Sequence, residues 1–190
     1  PDDLTYDEGA MIEPLAVAVH AIRQAGDVSG KKIAVLGAGP IGILVAQVAK
    51  GMGADAVMVT DISDVRLAKA RECGVDFCEN TKNVDFGQAL LSNFGPDKAD
   101  IIYDCAGNNV TMGQAVQYAR KGSTIILVAV FAGMAQIDLA VLNDHELDLN
   151  TTMMYRNEDY VDAIRLVNEG RVQLKPLISS HFAFRDYKKA

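Results

Sequence analysis

The sequence predicts an α/β fold, a six-stranded parallel sheet wound in two directions with helices on both faces. Three observations predict it. Short apolar runs recur that lack the polar alternation of a half-exposed strand. Between them lie longer segments whose apolar residues repeat at helical spacing. A glycine-rich turn joins the first such strand to the first such helix.

Thr5-x-x-Glu8 has the pattern of a capping box, and it opens an apolar stretch from Ala10 to Ile22 in which Pro14 should kink or divide the helix. Gly26 to Gly30 reads as a turn. Lys32 to Leu36 then forms a strand apolar enough to be covered on both faces, and Gly37 to Gly42 is the glycine-rich turn. Ile41, Leu44, Val45, Val48 and Met52 recur on one face of the helix that follows. Ala56 to Thr60 is the second strand, ended by Asp61, and Ser63 is placed to cap a helix running to about Cys73. A third strand is expected near Asp76 to Cys78, a helix over 84–93, a fourth strand over 100–104, a helix over 110–120 and a fifth strand over 123–130. Past Gly133 the pattern weakens, and the apolar stretch Gly133 to Leu142 shows no helix of its own. A sixth strand is expected within 145–150, then a helix over 158–169 closed by Gly170.

Composition narrows the function. A formal charge of −7 argues against a nucleic-acid or anionic-membrane partner, either of which calls for a basic patch. The longest apolar stretch, Ile125 to Ala135, falls well short of the roughly 20 residues that cross a bilayer. Cys73, Cys78 and Cys105 fit neither a disulfide framework nor paired metal-binding cysteines, and read as reduced thiols of a cytoplasmic protein. His20, His145 and His181 are scattered and form no local metal motif. The chain opens at Pro1 and closes at Tyr187-Lys188-Lys189-Ala190, which has the look of a helix start, so further chain is expected on both sides.

Gly37-Ala38-Gly39-Pro40-Ile41-Gly42 matches Gly-x-Gly-x-x-Gly between a strand and a helix, the context in which that motif cradles a dinucleotide in a Rossmann fold. Gly37 permits the tight turn, Gly39 admits a pyrophosphate against the backbone, and Gly42 lets the helix pack close. The helix amino terminus presents free N–H groups and about half a positive charge to the phosphates. Asp61 stands 19 residues beyond Gly42 at the end of the second strand, where a carboxylate meets the adenosine ribose. That carboxylate should select NAD over NADP, because a 2′-phosphate would meet a like charge at a cost of order 1–4 kcal/mol. Arg66 favours phosphate, but it is expected to lie along the adenosine.

Together the stretch Gly9-Ala10-Met11-Ile12-Glu13-Pro14-Leu15, the glycine motif, Asp61 with Arg66-Leu67, and Lys175-Pro176-Leu177-Ile178 resemble the zinc-dependent medium-chain alcohol dehydrogenases, in particular their sorbitol (polyol) dehydrogenase-like branch. The resemblance covers essentially the whole chain. It implies the cofactor-binding domain only, residues 31–190, led into by a helical segment, 1–30, from a catalytic domain that precedes Pro1. It implies NAD contacts at Gly37, Gly39, Pro40, Ile41, Gly42, Asp61, Arg66 and Cys105. Val128-Ala129-Val130 falls on the turn that holds the nicotinamide carboxamide, and Met153-Met154 on a segment lining the nicotinamide and substrate. Glu13 falls at the catalytic zinc, whose other ligands precede this chain. In the intact enzyme the resemblance implies a zinc ion that acidifies a substrate hydroxyl, with hydride passing to NAD. The isolated chain is expected to hold no zinc and to catalyse nothing, and to form a homodimer or homotetramer. The alternatives are an L-threonine 3-dehydrogenase, a butanediol dehydrogenase, an NADH-sensing regulatory module, and a methyltransferase, which Leu36 and Pro40-Ile41-Gly42 disfavour.

Overall fold

The structure, a computed structural model, describes residues 4–189. Its six strands are β1 (Lys32–Leu36), β2 (Ala56–Asp61), β3 (Phe77–Asn80), β4 (Ile101–Asp104), β5 (Thr124–Leu127) and β6 (Asp148–Thr151). They pair in parallel throughout, in the order β3-β2-β1-β4-β5-β6. The chain therefore builds outward from β1 to β3, returns to β4 beside β1, and builds outward again. Strand direction of travel reverses between β1 and β4, which opens a crevice at their carboxyl ends.

The continuity of the apolar strands follows from burial on both faces. Ile33, Val35, Val57, Val59, Ile101 and Tyr103 join one core, packed under α1 (Tyr6–Arg23), α2 (Pro40–Gly51) and part of α7 (Asn157–Asn168). The intervening Ala34, Leu36, Met58 and Ile102 join a second core beneath α4 (Phe86–Phe94) and α5 (Asn109–Tyr118). Helix α3 (Asp64–Glu72) covers the first face through Leu67 and Ala70.

Helix α1 starts as expected. Thr5 is its N-cap, with the Glu8 N–H donating to the Thr5 hydroxyl and the Thr5 N–H donating to the Glu8 carboxylate. Pro14 does not divide it, and the helix runs unbroken for 18 residues. The carbonyl that loses a donor to Pro14 belongs to Ala10, which is exposed, while Ile12, Leu15, Ala16 and Val19 anchor the helix on the core. A second expectation fails in part: the stretch from Gly133 to Leu142 does make helix, α6 (Leu139–Asp144), with Asp138 capping it through bonds from the Ala140 and Val141 N–H groups. The six-residue helix is too short to show a helical period in the sequence. Ser63 is the N-cap of α3, but its side chain makes no capping bond. Strands β3 and β6 begin later than expected, and the helix expected at the chain's end is a short 3₁₀ helix, Phe184–Lys189, with Ala190 outside the described residues.

Candidate dinucleotide site

Everything expected of the glycine turn depends on the geometry at three positions. Gly37 has φ +104°, a left-handed backbone that glycine alone adopts without strain. A Cβ on Gly42 would lie 1.9 Å from the Gly37 carbonyl oxygen, so α2 begins against the turn itself. The close packing that Gly42 permits is thus between helix and turn. Gly39 is the N-cap of α2 and has open space where a Cβ would stand. Helix α2 carries no acidic residue in its first turn, and the Ile41 and Gly42 N–H groups are free for an anion.

Asp61 is held in place by backbone donors. The Ala38 N–H donates to its Oδ2 at 2.8 Å and the Ser63 N–H to its Oδ1 at 2.9 Å. Arg66 Nη1 stands 3.7 Å from Oδ2. Each carboxylate oxygen retains a lone pair, enough to accept from two vicinal hydroxyls.

Around this frame lie three cavities. The first, about 500 Å³, is bounded by Gly37, Gly39, Asp61, Arg66 and Cys105, with Asn108 and Thr111 at the start of α5. The second, about 280 Å³, is bounded by Ile41, Cys105, Val128, Ala129, Val130, Met153 and Met154, with Val17 of α1 and Thr152. Cys105 lines both, so the two meet at the β4 end of the crevice. Burial pushes the Cys105 thiol far above its ordinary range, and it serves as an apolar wall rather than a nucleophile. A third cavity of about 470 Å³ shares Gly39 and Arg66 with the first and adds Pro40 and Lys69.

Of the residues expected at the site, Gly42 and Glu13 line none of these three cavities, and the part of Gly42 is to set the helix against the turn. Glu13 is exposed on α1, four residues before Val17 and therefore on the same face. The Tyr160 hydroxyl and burial, with the Glu13 carboxylate as a smaller influence, push the Tyr155 hydroxyl up to about 12. No cluster of three or more His, Cys, Asp or Glu able to hold a metal occurs among the described residues. Glu13 supplies at most one ligand, so the residues present do not by themselves fit a four-coordinate zinc.

Asp104 escaped the sequence reading. It is fully buried at the end of β4, and its Oδ1 accepts from the Ala106 and Gly107 N–H groups while its backbone oxygen accepts from Val128 and Ala129. It thereby fixes the turns after β4 and β5 together. An acidic residue closing an apolar run was the available signal. Burial raises its carboxyl above the ordinary value, against the lowering effect of those hydrogen bonds. Val17 and Thr152 were also missed, since both look like ordinary packing residues in sequence.

Residues 40–169 match the family model described as "Zinc-binding dehydrogenase". The chain belongs to this zinc-binding dehydrogenase family. Within it, sorbitol dehydrogenase 1 of Saccharomyces cerevisiae is 34% identical over 196 residues, covering 100% of this chain and 55% of the yeast protein. The chain thus spans about half the length of the curated relatives it matches. Among solved structures, an Escherichia coli oxidoreductase/dehydrogenase of unknown specificity superposes with a TM-score of 0.93 at 32% identity, covering all of this chain and 54% of that one. Two further dehydrogenases carry cofactor. One from Escherichia coli, complexed with NADH, gives a TM-score of 0.89 at 26% identity over 100% of this chain and 56% of its own. One from Sinorhizobium meliloti, bound to NADP, gives 0.82 at 26% over 90% and 51%. The all-parallel doubly wound sheet of this family member is the Rossmann arrangement expected from its glycine turn.

Proposed function

We propose that this zinc-binding dehydrogenase chain is the NAD-binding domain of an oxidoreductase that moves hydride between a secondary alcohol of polyol type and NAD. The observation that carries the reading is the pair of cavities meeting at Cys105, one running to Asp61 and the other to Val128–Val130 and Met153-Met154. A dinucleotide laid across the glycine turn puts its adenosine at Asp61, its pyrophosphate on the α2 amino terminus and its nicotinamide in the smaller cavity. Bound NAD supplies the hydride acceptor. The chain's own residues bind it, orient its ring, and keep apolar walls about it through Val17, Ile41, Cys105 and Met153. The polyol class rests on the sorbitol dehydrogenase likeness. Residues 31–190 are the cofactor domain in this reading, and 1–30 lead in from a catalytic domain. Glu13 would contribute one zinc ligand.

NAD rather than NADP follows from Asp61, because its carboxylate is fixed by two backbone donors and cannot swing away from a 2′-phosphate. Calorimetric titration tests this: NADH should bind at least tenfold more tightly than NADPH, about 1.4 kcal/mol. Equal affinities would overturn the assignment of Asp61. S-adenosylmethionine should not bind, and saturable binding would favour the methyltransferase alternative.

Self-association belongs to the same reading. Strand β5 is one strand from the edge of the sheet, and the flanking Met134 and Leu139 are 97% and 68% exposed. Two copies joined about a two-fold axis would cover them. Light scattering should give a dimer, and Leu139→Lys should give a monomer with unchanged NADH affinity.

A further inference from the structure

A buried acidic residue far from the glycine turn has no role in the site described so far. Asp159, the third residue of α7, is 0% exposed. Its Oδ2 accepts from the Arg156 N–H at 2.6 Å and lies 2.9 Å from His20 Nδ1. Its Oδ1 accepts from Arg23 at 2.5 Å, and the same guanidinium reaches Asp162. His20 and Arg23 sit one turn apart on α1, and the Gln24 amide nitrogen lies 3.2 Å from His20 Nε2. One carboxylate therefore joins α1 to the amino terminus of α7.

Burying such a network is a poor way to gain stability, since apolar residues of the same volume commonly do as well. What it supplies is position. The segment 152–156 is tied at one end by the Thr152 N–H bond to the Leu127 carbonyl, 3.1 Å, and at the other by Arg156 to Asp159. Between the ties stands Met154 with φ +57°, a left-handed conformation that a non-glycine residue keeps only when its surroundings enforce it. Met153 and Met154 form one wall of the nicotinamide cavity. Val17, three residues before His20 on α1, lines the same cavity from another element.

We propose that Asp159 is a positioning residue for the nicotinamide end of the cofactor site, setting the distance between the α1 wall and the Met153-Met154 wall through His20 and Arg23. The proposal rests on the reading that this chain binds a nicotinamide dinucleotide. It separates the two ends of the ligand: the adenosine end at Asp61 shares no residue with the Asp159 network.

Titration of the 190-residue chain with NADH and with ADP-ribose, which lacks the nicotinamide, tests it. In Asp159→Asn the affinity for NADH should fall about tenfold while that for ADP-ribose stays within about twofold. His20→Leu should act in the same direction and serves if Asp159→Asn does not fold. His20→Asn, which keeps a donor near the Nδ1 position, should restore NADH affinity. NADH affinity equal to the parent's in both variants would overturn the proposal. So would equal losses for the two ligands, which would mark a merely structural network. Failure of the parent chain to bind NADH at all would overturn it together with the cofactor reading, and the parent titration reports that separately.

Discussion

Replacing Gly42 by alanine should damage both the fold and the site. The new Cβ would stand 1.9 Å from the Gly37 carbonyl oxygen and 3.0 Å from its carbon. Ordinary contact begins near 3.4 Å, so helix and turn must separate by about 1.5 Å. Neither side yields easily. Gly37 is tied by its N–H to the Thr60 carbonyl at 2.7 Å, and nine residues of α2, Gly42 among them, are buried. Overpacking of this kind costs about 1–3 kcal/mol, and a backbone clash stands at the upper end. For a chain of this size that is a fall of about 6–12 °C in Tm. Gly39→Ala is the control. No atom lies within 4 Å of its Cβ position and its φ is −69°, so the fold should keep its stability to within about 1 kcal/mol, the cost of alanine in place of glycine at an N-cap. Its methyl group would nonetheless occupy the place left for a pyrophosphate. Thermal unfolding with NADH titration separates the two: Gly42→Ala loses stability and binding, Gly39→Ala loses binding alone. A Gly42→Ala variant with the parent's Tm and NADH affinity would refute the reasoning, and so would a Gly39→Ala variant that binds NADH normally.

Asp61→Ala should narrow the preference for NADH over NADPH and also lower stability, because the Ala38 and Ser63 N–H groups each lose an acceptor at about 1–3 kcal/mol when buried. Denaturant unfolding beside paired titrations measures both, and an unchanged preference would assign selection to another residue. Asp104→Asn should be more stable than the parent at pH 7, with the gain shrinking as pH falls. A carboxyl held above its ordinary value binds its proton more tightly folded than unfolded, so its ionisation destabilises the fold as pH rises past about 3.9. Asparagine keeps the carbonyl acceptor for Ala106 and Gly107, and a gain that does not depend on pH would contradict the burial argument.

The fold was legible where burial on both faces leaves a continuous apolar run, as in β1 and β2, and where a cap marks a helix, as Thr5 does for α1. It was obscured where an element has little to bury. Strand β6 reads Asp148-Leu149-Asn150-Thr151 at a sheet edge, and α6 buries no residue at all. Pro14 misled because proline breaks an isolated helix, whereas here the packing of Leu15, Ala16 and Val19 outweighs one lost hydrogen bond. At the site, residues with a fixed chemical signature, Gly37, Gly39 and Asp61, stood out in the sequence. Asp104 and Asp159 did not, because each joins local partners to others 20 or more residues away that only the folded chain brings together.

If one nicotinamide dinucleotide spans both cavities, amide chemical-shift mapping with NADH will show it. Saturable shifts are expected in three groups: Gly37 to Gly42, Asp61 to Ser63, and Val128 to Val130 with Thr152 to Met154. ADP-ribose should reproduce the first two groups and leave the third in place. Shifts confined to the adenosine side with NADH, or scattered away from the carboxyl ends of β1 and β4, would contradict it.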